Sequence, residues 1–231
     1  MFGIGSQMPS KNVDIVFCID GTGSMTPCID NVRDNALKFY NELVAEVGRL
    51  GNAITSVRVK VIIFRDYKSD DDAMEQSRFF ELPDDDAEFS NFMASIDAHG
   101  GCGEDANGFE AMYLAMKSDW TQGNRDRQVI VTFADTDAIK LGKRREYPGY
   151  PRDMVDMDGF IYTWEGVQGY ESKLIERCKR AVIFAPAGSN YEGLVQQMRR
   201  VTFQPVDPGC GMADISFDAI IKQIAASVSS R

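Results

Sequence analysis

Short apolar runs recur along the chain at the length of single buried strands. Residues 13–19 read VDIVFCI and residues 128–134 read QVIVTFA. Near-continuous runs of this length, rich in β-branched residues, predict strands that are buried on both faces, as in a parallel sheet. The same reasoning predicts further strands at 56–65, 181–185 and 201–206, and a short strand at 77–82 at or near an edge of the sheet.

Segments with a helical spacing of apolar residues lie between these runs. Pro27 opens one that extends to about Leu50, where Gly48 and Gly51 are placed to end it. Other helices are predicted at 87–96, 108–120, 171–180, 191–200 and 214–228. Strands that alternate with helices imply right-handed crossovers. The predicted fold is therefore a three-layer α/β/α sandwich with a doubly wound, mainly parallel, Rossmann-like sheet and one short antiparallel edge strand.

The segment 138–170 breaks this alternation. It reads AIKLGKRREYPGYPRDMVDMDGFIYTWEGVQGY and shows no sustained apolar period. An irregular segment of this length inside a compact domain is either functional or mobile. Its aromatic and basic residues favour a surface for an acidic partner, and the alternative is a cover that packs on its own aromatic side chains. Trp164 in this segment is expected to be exposed, whereas Trp120 is expected in the core.

Length and charge narrow the class of protein. The 231 residues fit a single domain, 1–231, with an insertion at about 138–170. The net charge of −10 argues against nucleic acid, whose phosphates require a basic face. No apolar run reaches the roughly 18 residues of a membrane span, and the N-terminus carries no secretory pattern. These features predict a cytoplasmic protein that binds neither nucleic acid nor membrane.

Cysteine and histidine usage excludes several kinds of site. The five cysteines are scattered without CxxC spacing, which is typical of reduced thiols and not of a disulfide framework or a zinc site. The single histidine, His99, further weakens a zinc site or a serine hydrolase. Acidic triplets at 70–72 and 84–86 are interpreted as solvated loops because neither has the residue order of a calcium loop.

The residues best suited to chemistry are 19–25, IDGTGSM, directly after the first predicted strand. A carboxylate at Asp20 and hydroxyls at Thr22 and Ser24 put three oxygen ligands on one turn, which the intervening glycines allow to be tight. Oxygen ligands suit hard cations, Mg²⁺ first and Mn²⁺ or Ca²⁺ as alternatives. Doubly wound sheets bind ligands beyond the carboxyl ends of their strands, where this turn lies. The alternative is a plain strand-to-helix turn capped by Ser24.

This turn resembles the Asp-x-Ser-x-Ser loop of the metal-ion-dependent adhesion site (MIDAS) in the von Willebrand factor A (vWA) domain family, with Thr22 in place of the first serine. Residues 64–67 (FRDY), 99–101 (HGG) and 107–111 (NGFEA) are similar to later segments of a bacterial-type, intracellular branch of that family. Asp135 follows a predicted strand where the family places its last metal-site aspartate, with Asp137 as the nearby alternative. The resemblance extends over most of the chain and implies the vWA fold.

Residues 99–101 begin the segment that is similar to the family's glycine-rich second loop, and this second loop departs from the family pattern. Where the family commonly has a threonine after the glycine pair, or an aspartate one residue further, this chain has Cys102 and Gly103. A thiol is a poor ligand for Mg²⁺. Glu104 is therefore favoured as the ligand, with water as an alternative and Asp105 left to cap the next helix. The resemblance thus implies a metal site formed by Asp20, Thr22, Ser24, Glu104 and Asp135.

The function implied by the resemblance is that of a binding module and not of an enzyme. In the family, a carboxylate of a partner protein completes the coordination of the ion. One alternative is a structural or scaffold protein of the same fold with a degenerate metal site. Another is a Mg²⁺-dependent phosphatase-like hydrolase, but Cys18 stands where a haloacid-dehalogenase-type phosphatase needs its nucleophilic aspartate. The sequence identifies neither the partner nor the oligomeric state.

Overall fold

The computed structural model describes residues 10–101, 105–213 and 215–230. Strands and helices alternate along these ranges, and none of the described helices is long and apolar enough to cross a membrane. The strands are β1 (Ser10–Asp20), β2 (Ala53–Phe64), β3 (Met74–Gln76), β4 (Phe80–Leu82), β5 (Arg127–Phe133), β6 (Lys179–Pro186) and β7 (Val201–Val206). The α-helices are α1 (Thr26–Arg49), α2 (Asp86–Ser95), α3 (Gly108–Met116), α4 (Met157–Glu165), α5 (Glu192–Gln197) and α6 (Phe217–Ser229).

The strands form one sheet in the order β3-β2-β1-β5-β6-β7, and β4 also pairs with β2. β1, β2, β5, β6 and β7 are parallel, whereas β3 and β4 run antiparallel to β2. With helices on both faces, this arrangement confirms the predicted three-layer sandwich with a doubly wound, mainly parallel sheet. The edge differs from the prediction because it carries two short antiparallel strands. Between them, Val61 N donates to Ser77 Oγ at 2.9 Å, so a hydroxyl replaces a main-chain acceptor there.

Both faces of the central strand β1 are covered. Ile15, Phe17 and Ile19 pack with residues of α1, α2 and α6 on one face. Val16 and Cys18 pack with residues of α3, α4 and α5 on the other. All five side chains are buried. The nearly continuous apolar sequence of β1 follows from this double burial, since neither face meets solvent.

The segment 138–170 packs against the α3 side of the sheet and contains the unpredicted helix α4. Asp156 caps its N-terminus by accepting a hydrogen bond from Gly159 N, and Gly166 ends it in a left-handed conformation. Trp164 is 1% exposed, so the expectation that it is exposed is wrong, whereas Trp120 is buried as predicted. The other aromatic side chains of the segment are buried at Tyr150 and Phe160, half-buried at Tyr147, and exposed at Tyr162 and Tyr170.

The predicted helix at 171–180 is wrong. β6 begins at Lys179, and the residues before it form turns. Ile175 N donates to Gln128 Oε1 at 2.6 Å, so its hydrogen bond goes to a fully buried side chain of β5 and not to a helical carbonyl. Tertiary contact thus overrides the local helical pattern.

The winding of the chain reverses between β1 and β5. From β1 the chain passes through α1 to β2 and the sheet edge, and it then returns to β5 on the other side of β1. In such sheets ligands bind in the crevice beyond the carboxyl ends of the strands at this reversal. Asp20 ends β1, and Asp135 follows the end of β5 by two residues. Both aspartates therefore lie at the position where this fold binds ligands.

Candidate metal centre

Asp20 is fully buried and begins a tight loop. Its Oδ1 accepts a hydrogen bond from Thr22 N at 2.9 Å. Gly21 is required between them, because a Cβ at that position would lie 2.5 Å from Ile63 Cγ2. A 3-10 turn over Gly23–Met25 then leads into α1. The loop keeps the side-chain oxygens of Asp20, Thr22 and Ser24 together at the carboxyl edge of the sheet.

A chain of oxygens connects this loop to the end of β5. Thr22 Oγ1 lies 3.3 Å from Ser24 Oγ, which donates to Asp135 Oδ1 at 3.1 Å. Four of the five predicted ligands, Asp20, Thr22, Ser24 and Asp135, are thus brought into one cluster. The fifth, Glu104, lies outside the described residues, as does Cys102. Ser24 is exposed while Asp20 and Asp135 are fully buried, so the cluster opens to solvent on the Ser24 side.

Asp135 is also fixed by a loop that follows β7. Its Oδ2 accepts a hydrogen bond from Gly211 N at 2.9 Å, and its carbonyl accepts one from Gly209 N at 2.9 Å. Thr136 Oγ1 approaches Asp20 Oδ2 at 3.4 Å. Sequence reasoning missed these three residues. The only signals were the hydroxyl next to Asp135 and the Gly-Cys-Gly triplet after the last strand.

Asp137, the alternative to Asp135, has a different role. Its Oδ1 accepts hydrogen bonds from Asn190 N and Ala138 N, each at 2.7 Å. These contacts hold the loop after β6 and the start of the segment 138–170. The carboxylate that faces Ser24 is therefore Asp135. The helix cap proposed for Asp105 also falls elsewhere, since Asn107 precedes α3.

The electrostatics of the cluster are unusual for buried carboxylates. Neither Asp20 nor Asp135 forms an ion pair with a Lys, Arg or His side chain of the described residues. Burial raises the pKa of Asp20 to about 6; hydrogen bonds from Thr22 oppose the rise, and the charge of Asp135 adds to it. Buried charge without a counter-ion is costly. A bound cation at this position would remove that cost.

The second loop contacts the first through its backbone. His99 N donates to Gly21 O at 3.1 Å, and Gly23 N donates to Gly100 O at 3.5 Å. Gly101 has a φ of +65°, and a Cβ there would lie 2.3 Å from Thr22 Cγ2. The two glycines thus bring the second loop against Thr22. In the ranges that the structure describes, no three His, Cys, Asp or Glu side chains are grouped for a metal ion, so any described ligand set combines two carboxylates with hydroxyls.

Sequence comparison finds limited similarity. No protein-family model matches the chain. Over 126 residues, 54% of its length, the chain is 26% identical to the alpha-protein kinase vwkA of Dictyostelium discoideum. That match spans 19% of the kinase, so the chain corresponds to a small part of this curated relative.

Similarity to solved structures is broader and concerns the fold. The chain resembles the pilus adhesin SpaC from Lactobacillus rhamnosus GG with a TM-score of 0.55 at 15% identity, over 95% of this chain and 31% of the adhesin. It also resembles proximal thread matrix protein 1 from the mussel byssus with a TM-score of 0.51 at 8% identity, over 96% of this chain and 49% of that protein. At these identities the likeness extends to the fold alone.

Proposed function

We propose that this chain is a vWA-type domain that binds one divalent cation and uses it to dock a partner protein through a carboxylate. The observation that carries the proposal is the pair of fully buried carboxylates, Asp20 and Asp135, which have no cationic partner among the described residues. The hydroxyls of Thr22 and Ser24 lie in the same cluster. The resemblance of residues 20–24 to the MIDAS loop supports the same conclusion.

The donor set fits a hard cation. Its ligand atoms are carboxylate and hydroxyl oxygens, which suit Mg²⁺, with Mn²⁺ or Ca²⁺ as alternatives. Asp20, Thr22, Ser24 and Asp135 would hold the ion, together with Glu104, which lies outside the described residues. When bound, the ion would supply an electrophilic position for an outside carboxylate. Because Ser24 is the exposed member of the cluster, the partner would approach from its side.

We further propose that the domain binds and does not catalyse. Cys18 stands where the phosphatase nucleophile would lie, and it is fully buried, which raises the pKa of its thiol. A protonated, inaccessible thiol cannot replace that nucleophile. We also propose a cytoplasmic location, where the described cysteines Cys18, Cys28, Cys178 and Cys210, all of them free, would remain reduced.

Titration of the chelator-treated protein with Mg²⁺ and Mn²⁺ tests the metal site. Calorimetry should detect one site in the wild type and none in Asp20→Asn or Asp135→Asn. Asp137→Asn is the matched control, because Asp137 is adjacent in sequence but bonds to the loop after β6. Its affinity for the ion should remain that of the wild type. Unchanged metal affinity in Asp20→Asn would show that Asp20 is not a ligand and would refute the proposed site.

Partner docking is tested once the metal site is established. Immobilised wild type and Asp20→Asn are exposed to host extract with Mg²⁺ or with EDTA. A partner that docks through the ion should be retained only by the wild type with Mg²⁺. The protein retained is then tested again in purified form after its carboxylates are replaced one at a time. Retention that is unaffected by EDTA contradicts docking through the metal.

A structural or scaffold protein with a degenerate site is the second candidate. One observation favours it: Asp135 already accepts hydrogen bonds from Ser24 and Gly211, so the loops close without an ion. In that case no metal should bind at millimolar concentration. The hydrolase alternative requires turnover of a phosphate ester that Asp20→Asn abolishes. The same purified proteins decide between these outcomes.

A further inference from the structure

Arg65 is a buried arginine that forms no hydrogen bond or ion pair with the described ligands Asp20, Thr22, Ser24 and Asp135. It directly follows β2, and its side chain is 1% exposed. Arginine is rarely buried so fully unless its donors are all satisfied. The partners of Arg65 therefore indicate why the fold keeps a charge there.

The guanidinium of Arg65 joins three separate segments. Its Nε donates to Gly21 O at 3.1 Å, in the first metal loop. Its Nη2 donates to Asp97 O at 2.8 Å, at the entrance of the second loop. Its Nη1 donates to Asp72 O at 3.0 Å and to Glu75 Oε1 at 2.9 Å, beside the sheet edge. One planar group thus fixes the position of the first loop relative to the second.

Backbone contacts of Arg65 reinforce this connection. Its carbonyl accepts a hydrogen bond from Asn107 N at 3.1 Å, where the second loop ends. Gly21 O accepts a second hydrogen bond, from His99 N at 3.1 Å. The guanidinium also lies directly against Gly21, since a Cβ there would be 3.0 Å from Arg65 Cζ. The entrance and the exit of the second loop are therefore both tied to one residue.

We propose that Arg65 is a positioning residue of the metal centre, which holds the first loop against the two described ends of the second loop, 97–101 and 105–107, before the ion arrives. The proposal rests on the proposed metal-binding function. Glu75 and Asp72 neutralise the charge of Arg65, so the guanidinium does not substitute for the ion at Asp20. Lysine cannot replace it, because an ammonium lacks the planar fork that reaches three segments at once.

Arg65→Lys tests the proposal, with Arg58→Lys as the matched control. Arg58 lies on β2 and forms a bidentate pair with buried Asp14 away from both loops. Two measurements are made: amide hydrogen exchange of the metal-free proteins, and the dissociation constant for Mn²⁺. Exchange in Arg65→Lys should be faster at the amide of His99, which bonds to Gly21 O, and at the amide of Met25, which bonds to Thr22 O. The variant should also bind Mn²⁺ about tenfold more weakly, the effect expected of a residue that orients ligands. Arg58→Lys should change neither measurement, although we expect both substitutions to lower the melting temperature.

The outcomes distinguish a failure of this proposal from a failure of the proposed metal binding. If folded Arg65→Lys shows wild-type exchange at His99 and wild-type Mn²⁺ affinity, the proposal is overturned. If the wild type itself binds no Mn²⁺, the metal function fails, and the exchange measurement still decides whether Arg65 holds the loops. If Arg65→Lys does not fold, Glu75→Gln replaces it, since this half-exposed side chain can be changed without leaving a cavity in the core. Glu75→Gln should shift both measurements in the same direction by smaller amounts, and wild-type values there overturn the proposal.

Discussion

The buried carboxylate that follows β2 and the two at the ends of β1 and β5 are stabilised in different ways. Asp66, after β2, accepts two hydrogen bonds from Arg144, at 2.6 and 2.7 Å, and both side chains are almost fully buried. Asp20 and Asp135 accept hydrogen bonds only from hydroxyls and main-chain amides of the described residues. At Asp66, where the charge has a structural role, the chain supplies its own cation. Where we propose a metal ion, it supplies none.

The Asp66–Arg144 pair also explains how the segment 138–170 is anchored. The segment begins after β5, and Arg144 reaches Asp66 at the end of β2. In the same segment, Gly142 N and Tyr150 Oη donate hydrogen bonds to Glu110 Oε1 on α3. The segment therefore spans the carboxyl edge of the sheet from β5 to β2. The sequence predicted that the base of this segment lies on the same edge as the candidate site, but it did not predict the Arg144–Asp66 pair that anchors it.

Breaking the Asp66–Arg144 pair should have the largest effect on stability. Arg144→Met leaves Asp66 buried without its cation, and we expect a loss of about 3 kcal/mol in the free energy of unfolding, measured with urea. Lys143→Met is the control, because this neighbouring side chain is exposed. A loss below about 1 kcal/mol, as for an exposed pair, would contradict the structural role of Asp66.

The second prediction concerns the response of stability to metal. Without metal, Asp20→Asn should unfold within about 1 kcal/mol of the wild type, because the neutral amide removes the cost of an uncompensated buried charge and so offsets the hydrogen bonds that it weakens. At a Mg²⁺ concentration one hundred times its dissociation constant, the wild type should gain about 2.7 kcal/mol. Asp20→Asn should gain nothing. Equal gains in both proteins would show that Mg²⁺ binds elsewhere.

Most of the fold was predictable because buried parallel strands are continuous apolar runs. The predicted strand 201–206 coincides with β7, and β1, β2, β5 and β6 differ from their predictions only at their ends. The errors occur where distant groups decide the local structure. Gln128 takes the amide of Ile175, so no helix forms at 171–180. In α4, Phe160 and Trp164 provide the buried face, but two positions among glycines, tyrosines and charges do not make a visible period.

The candidate site was also predictable in part, namely its ligands but not the groups that hold them. Asp20, Thr22 and Ser24 are close in sequence, and Asp135 follows a recognisable strand. The contributions of Gly211 and Arg65 could not be predicted, because Gly211 donates its main-chain amide and Arg65 bonds to distant main-chain carbonyls, and neither kind of contact leaves a sequence pattern. A sequence pattern thus identifies ligands that one turn presents, and the structure is needed for the groups that hold that turn in place.

A third prediction uses Glu110, a buried carboxylate with neutral hydrogen-bond donors. Burial raises its pKa, and the hydrogen bond from Tyr150 opposes the rise. Because the folded state then binds the proton more tightly than the unfolded state, ionised Glu110 destabilises the fold above its raised pKa. Glu110→Gln should therefore gain stability relative to the wild type at pH 8, and the difference should shrink as the pH falls towards the ordinary value of 4.5.

Urea unfolding at several pH values measures this difference. Glu42→Gln, on the exposed face of α1, controls for the loss of one negative charge. A difference between Glu110→Gln and the wild type that stays constant from pH 8 to acid would show that Glu110 is not responsible. Such a result would also weaken the comparison between carboxylates that carry cationic partners and those that do not.

The smallest expected effect tests whether Thr136 supports Asp20. Its hydroxyl lies 3.4 Å from Asp20 Oδ2, and Thr136→Val removes that donor with little change in volume. Because this contact is long, we expect it to contribute about 1 kcal/mol, the value of an ordinary hydrogen bond, so the affinity for Mg²⁺ should fall about fivefold. Thr132→Val, four residues earlier on β5, is the matched control, since this buried side chain lies opposite Cys18 in the sheet and forms no hydrogen bond with Asp20. Calorimetric titration of both variants should show a change only in Thr136→Val; equal affinities would mean that Asp20 is oriented by Thr22 alone.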